Sequence, residues 1–245
     1  MKPIEIKQII VVTDGKSNAG GSPITAAREA LRNNIMVNAI GIVEQGENED
    51  HLNEIIDIAK AGGGAWEHTS VSNLGYSMMA VTQRTVNKTI HSIVGKQLRE
   101  IISGGIEDIS PDRRGKVIRY MEELGEHAMV RCCIVIDCSG SMANKMSTAK
   151  QSIIELMNSF QGRNGNWKVA VIGFPGESGM LTKVIHPFTE DIKTIKGLLF
   201  ELKAGGMTPT AAAIIQAKQL LESEDTVEIH QVISNSEPLI KKHMV

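Results

Sequence analysis

Aromatic side chains are scarce in this chain: only 3% of its 245 residues are Phe, Trp or Tyr. That argues against the stacking platforms on which single-stranded nucleic acids lie. An excess of either charge is also missing, with 26 Lys and Arg against 28 Asp and Glu. No basic footprint for a phosphate backbone or an anionic bilayer is therefore present. Cysteine is rare. Cys132 and Cys133 are adjacent, so on a strand they face opposite ways, and Cys138 follows shortly after. This argues against a disulfide framework, zinc spacing is absent, and core thiols are expected. No apolar run is long enough to span a bilayer. The opening "MKPIEIKQIIVVTDG" has one early lysine and a short apolar run that ends in a charge rather than at a cleavage site. It reads as a strand and not as a secretory signal, and a cytoplasmic protein is expected.

Familiar catalytic signatures are missing too. "GKS" at 15–17 would need a glycine at position 10 to make a phosphate loop, and Ile10 stands there. The pattern G-x-S-x-G is absent, and no Ser-His-Asp set can be assigned. "GGG" at 62–64 suits a helix stop better than a dinucleotide cradle.

What is present is an alternation of strands and helices. "IKQIIVVT" reads as a buried strand ending at Asp14-Gly15, and "SPITAAREALRNN" as a helix with Ser22 at its N-cap and Pro23 at its first position. "IMVNAIGIV" is a strand, "EDHLNEIIDIAKAGGG" a helix and "AWEHTSV" a short edge strand. This order predicts a parallel sheet covered on both faces. From Asn73 to about Ser103 the pattern is helical, with Val86, Ile90, Ile93, Val94, Leu98, Ile101 and Ile102 on or near one side. "SPDRRGKVIRYMEELG" predicts a further helix, capped by Ser110-Pro111 and closed by Gly125. A second α/β stretch follows: strand 129–137, helix 143–160, strands 167–174 and 181–187, helices at about 191–203 and 209–222, and a last strand "VEIHQVIS". That last strand echoes "IEIKQII" near the start of the chain.

The stretch "RCCIVIDCSGSMANKM" carries the most chemistry. Residues two apart on a strand share a face, so Asp137, Ser139 and Ser141 bring one carboxylate and two hydroxyls to the carboxyl edge of the sheet. Open α/β sheets bind ligands at that edge. Oxygen donors without thiolate or imidazole suit Mg²⁺, Mn²⁺ or Ca²⁺. Mg²⁺ takes about six oxygens, so three protein groups are too few and other loops must contribute. A single serine after a strand is more often a helix cap than a ligand. A hydrolase with Asp137 as nucleophile would want a second acid nearby, where Ser139 stands.

"IVIDCSGSM" resembles the D-x-S-x-S motif of the von Willebrand factor A (VWA) family, which builds a metal-ion-dependent adhesion site from three loops. "AGGMTPT" resembles the family's second loop, with Thr208 in the threonine position. "IIVVTDGKSN" resembles its third loop, with Asp14 in the aspartate position. "KVAVIGF" and "HPFTEDIKTIKGLLFEL" resemble the intervening strands and helix. The order departs from the family: the D-G loop comes first here and the other two follow Met129. The resemblance therefore implies a doubly wound, mostly parallel, six-stranded Rossmann-like sheet with its halves permuted. Residues 1–76 would be the family's C-terminal half, 77–128 a helical connector and 129–245 its N-terminal half. Three completions of the site stay open: one permuted domain in a single chain, halves exchanged between two chains in a homodimer, or a cut tandem whose missing halves lie elsewhere.

The roles implied by resemblance are these. Ser139 and Ser141 give hydroxyl oxygens to a metal, Asp137 and Asp14 hold it directly or through water, and Thr208 joins in one of two states, with Thr210 as the alternative oxygen. One position is left for an Asp or Glu of a protein partner. Gly15, Gly140 and Gly206 would allow close backbone approach. The expected function is a divalent-metal-dependent binding module rather than an enzyme. A Mg²⁺-dependent phosphoesterase and a metal-free scaffold of two half-domains are the alternatives. The chain is also similar to short intracellular VWA proteins of spore-forming Gram-positive bacteria, which implies a place in sporulation or a signalling assembly.

Overall fold

A computed structural model describes residues 4–43, 52–102 and 105–223. The chain runs β1 (Glu5–Thr13), α1 (Pro23–Arg32), β2 (Ile35–Ile42), α2 (Leu52–Ala61), β3 (Gly63–Thr69), α3 (Leu74–Ile102), α4 (Pro111–His127), β4 (Met129–Asp137), α5 (Met146–Gln161), β5 (Trp167–Phe174), β6 (Lys183–Thr189), α6 (Ile192–Glu201) and α7 (Thr210–Ser223). The strands form one six-stranded sheet in the order β3-β2-β1-β4-β5-β6. Every neighbouring pair is parallel except β5 and β6, which are antiparallel. The expected doubly wound α/β sheet is thus what this chain forms.

The two faces follow from strand parity. Ile9, Val11, Cys133 and Val135 point into a core with α1, α2 and α7. Ile6, Ile10, Cys132, Ile134 and Ile136 point into the opposite core, with α3, α4, α5 and α6. Both faces of β1 and β4 are covered, which is why these strands read as unbroken apolar runs rather than as alternating ones. Their register pairs Ile9 with Cys133 and Val12 with Ile136. The D-G strand and the D-x-S-x-S strand are therefore central neighbours within one chain.

Local signals account for most boundaries. Ser22 caps α1, its side chain accepting the Thr25 N–H at 3.3 Å, with Pro23 in the first turn. After α2 the glycines do more than stop a helix. Gly63 has φ +67°, and a Cβ on Gly64 would lie 2.2 Å from the Val37 carbonyl oxygen, so β3 pairs with β2 only because no side chain intervenes there.

Several boundaries differ from expectation. Gly125 does not close α4, which runs on to His127, and Ser110 makes no side-chain cap hydrogen bond. Burial of Val117, Tyr120 and Met121 holds the helix through the glycine. The serine turn does not enter its helix directly. A short 3₁₀ turn at Gly140–Met142 intervenes and α5 begins at Met146. The expected division at 76/77 falls inside α3. That helix buries Leu74, Met78, Val81, Val86, Ile90, Val94 and Leu98 against the sheet side, so the connector is a full part of the covering layer. The echo strand 227–234 lies outside the described residues.

Beneath α3 sits a buried neutral network. Asn38 donates to Gln8 Oε1 at 2.9 Å, and Gln8 donates to the Thr82 hydroxyl at 3.2 Å. Thr85 and the Ala65 N–H each donate to Asn38 Oδ1 at 2.8 Å. These bonds tie α3 to β1, β2 and β3 in one register, since each buried amide finds a partner only there.

Candidate metal site

The carboxyl ends of β1 and β4 bring opposite ends of the chain together. Ser141 Oγ donates to Asp14 Oδ1 at 2.6 Å, across 127 positions of sequence. Ser139 Oγ lies 3.1 Å from Ser141 Oγ. Asp137 is fully buried and accepts at both oxygens. The Ser139 N–H donates to Oδ1 at 2.7 Å, and the Thr13 hydroxyl to Oδ2 at 2.5 Å. Thr13 ends β1 directly beside Asp137 because the β1–β4 register brings it there. Burial pushes the Asp137 carboxyl up to about 6, against the lowering effect of the Thr13 and Ser139 hydrogen bonds, and the Asp14 charge adds to the rise.

The loop that carries Thr208 reaches the same rim through its backbone. Thr208 N–H donates to Asn18 Oδ1 at 2.8 Å, and the Asn18 N–H donates to the Thr208 carbonyl at 3.2 Å. The Gly205 N–H donates to the Cys138 carbonyl at 2.7 Å. Thr208 is buried on this rim. Thr210 Oγ1 is buried with no hydrogen-bond partner among the described residues.

Of the three glycines expected to permit close approach, only Gly206 does so. It has φ +93°, and a Cβ there would meet Pro175 Cγ at 2.9 Å. Around Gly15 and Gly140 there is open space, so their backbones approach nothing a side chain would block. The cysteines are core thiols as expected: all three are free and buried. Cys138, beside the site, is pushed up to about 12 by burial and by the neighbouring Asp137 charge.

The donor set fits a small hard cation. In an octahedron with bonds of about 2.0–2.1 Å, adjacent ligand oxygens sit about 2.9 Å apart. The spacings among Asp14 Oδ1, Ser141 Oγ and Ser139 Oγ, 2.6 and 3.1 Å, bracket that value. Among the described residues no cluster of three or more His, Cys, Asp or Glu could hold a metal. The oxygens here are mostly hydroxyls, and such a set is not of that kind.

Two further residues belong to the site, Lys145 and Thr13. Lys145 Nζ lies 2.8 Å from Asp14 Oδ2, and both side chains are buried, 4% and 0% exposed. Thr13 locks Asp137. Its position before Asp14, at the end of a strand paired with β4, is the signal that could have found it. For Lys145 the sequence holds no such signal, since residues 141–145 are not α-helical and α5 begins only at Met146.

Comparison with known proteins gives the family. Family models of the von Willebrand factor type A domain match residues 132–235 and residues 2–77. The chain belongs to the VWA family. Its matched halves flank the segment that holds most of α3 and α4. It is 34% identical over 215 residues to the uncharacterized protein YabS of Bacillus subtilis, covering 86% of this chain and 87% of that one. The crystal structure of an uncharacterized protein from Alicyclobacillus acidocaldarius has a TM-score of 0.84 and 34% identity, covering 90% of this VWA chain and 95% of the other. A shorter similarity, 35% over 101 residues, links 40% of the chain to 14% of the magnesium-chelatase 67 kDa subunit of Heliobacterium mobile.

Proposed function

We propose that this VWA protein is a divalent-metal-dependent binding module that captures an acidic side chain of a protein partner, and that it is not an enzyme. Asp14, Asp137, Ser139, Ser141 and Thr208 would hold Mg²⁺, or Mn²⁺ or Ca²⁺ in its place. The observation that carries the proposal is the 2.6 Å approach of Ser141 Oγ to Asp14 Oδ1, which joins two family loops from opposite ends of the chain. The single sheet supports a permuted domain completed within one chain, with α3 and α4 as the new join.

A bound divalent cation would supply an electrophilic position for a partner's carboxylate. The protein's part is to hold its oxygens ready. Thr13 and the Ser139 N–H fix the Asp137 carboxylate, and Asp14 fixes the Ser141 hydroxyl. Thr208 is anchored through its backbone to the loop that follows Asp14, so its hydroxyl can shift without unfolding that loop. Hydroxyl donors leave the cation's charge less neutralised than carboxylates would, which favours an incoming Asp or Glu. Because both Asp137 oxygens are held by inward hydrogen bonds, the residue is poorly placed as a nucleophile, which weighs against the phosphoesterase alternative.

Isothermal titration of the full chain with Mn²⁺ and Mg²⁺ tests this function. Binding is expected in the wild type and is expected to be lost in a Ser139→Ala, Ser141→Ala double variant. Absence of binding to the folded wild type would leave the metal-free scaffold as the better account. Phosphate release from generic phosphoesters that disappears in Asp137→Ala would instead favour an enzyme.

A further inference from the structure

We propose that Lys145 is the resident counter-cation of this oxygen cluster: it keeps the site assembled without a metal and competes with a divalent cation for Asp14. The inference rests on the metal-site proposal above. Lys145 stands immediately before α5, where its N–H donates to the Met142 carbonyl at 2.9 Å and its carbonyl accepts the Ala149 N–H at 3.0 Å. The backbone is thus fixed, and the side chain turns inward to Asp14. The carboxylate of Asp14 is shared, with Oδ2 on the Lys145 ammonium and Oδ1 on the Ser141 hydroxyl.

Lysine is almost never fully buried, because removing an ammonium from water costs several kcal/mol unless it is paired. Here the ammonium is paired with Asp14, a carboxylate that also belongs to the candidate ligand set. Without Lys145 the rim would carry two buried carboxylates, Asp14 and Asp137, with no cation hydrogen-bonded to either among the described residues. With it, the cluster carries a net charge of −1 rather than −2. A divalent cation entering beside Asp14 then meets a like charge already in place. Lys145 should therefore hold metal affinity down, and a metal held loosely keeps more of its attraction for an external carboxylate.

A plain structural ion pair makes a different prediction, since removing it would weaken folding and metal binding together. The test is Mn²⁺ titration and thermal melting of the full wild-type chain, Lys145→Met and Lys145→Arg. Lys145→Met is expected to bind Mn²⁺ about tenfold tighter or more, the scale of removing one like charge from a partly buried site. It is also expected to melt lower than wild type without metal, and to gain more from saturating Mn²⁺ than wild type does. Lys145→Arg, which keeps the charge, is expected to bind Mn²⁺ as wild type does. Equal or weaker Mn²⁺ binding by Lys145→Met, in a background where wild type binds, overturns the inference. So does a Lys145→Met chain that stays unfolded at saturating Mn²⁺, because the divalent ion should replace the missing charge. If neither protein binds Mn²⁺, the metal-site proposal itself fails, an outcome distinct from the first two.

Discussion

Two buried polar clusters join distant parts of this chain, and they differ in kind. The one beneath α3 contains Gln8, Asn38, Thr82 and Thr85, all neutral, with donors matched to acceptors. The one at the carboxyl edge contains Asp14, Asp137 and Lys145, three charged groups, beside hydroxyls that face one another and a threonine oxygen with no partner among the described residues. A neutral network whose amide and hydroxyl groups each have a partner offers a ligand no charge, so it specifies packing. A charged, incompletely matched one stores unfavourable electrostatics that an incoming ion can relieve. Burial alone does not separate the two clusters; charge does.

That contrast can be broken experimentally. The largest effect should come from Asp14→Ala, which removes a proposed ligand and the buried carboxylate that Lys145 Nζ faces at 2.8 Å. It is expected to abolish Mn²⁺ binding in calorimetry and to cost about 3–5 kcal/mol in urea unfolding. Asn38→Ala strands the Ala65 N–H, the Thr85 hydroxyl and Gln8 Oε1. A stability loss of about 2–4 kcal/mol is expected, with Mn²⁺ affinity unchanged in the folded protein. A large fall in affinity there would mean the two clusters are one coupled unit. Ser141→Ala should do the reverse, lowering Mn²⁺ affinity at least tenfold while moving unfolding free energy by only about 1 kcal/mol. The smallest effect belongs to Phe200, 71% exposed on α6. Replacing it with Ser should shift stability by no more than about 0.5 kcal/mol and leave metal titration as in wild type.

The same contrast explains what was legible beforehand. Strands covered on both faces announce themselves as apolar runs, and the ranges expected for β1, β2, β4 and β5 agree with the structure to within a residue. Asp137, Ser139 and Ser141 stand out because polar groups break such a run at a strand end, whereas Asp14 and Thr208 are picked out only through the resemblance to the family's loops. Gln8 and Asn38 interrupt runs mid-strand, and nothing local says which partner each will meet. Lys145 was hidden for a related reason: a lysine at the start of a helix normally reaches water, and only the tertiary approach of β1 turns it inward. Helix ends were the weakest point. Gly125 carries a stop signal that packing of its neighbours overrides, whereas Gly63 and Gly64 carry one that backbone geometry enforces.

The central strand pair has a consequence for how the molecule is made. On the ribosome β1, β2 and β3 emerge early and can pair among themselves, yet one edge of β1 must wait until β4 has been synthesised. Through all of α3 and α4 the nascent chain therefore carries an open, apolar strand edge of the sort that invites misassembly. Translation must run past Thr208 before every oxygen of the proposed site exists, so a metal held there as proposed could be bound only once the loop leading into α7 has been made.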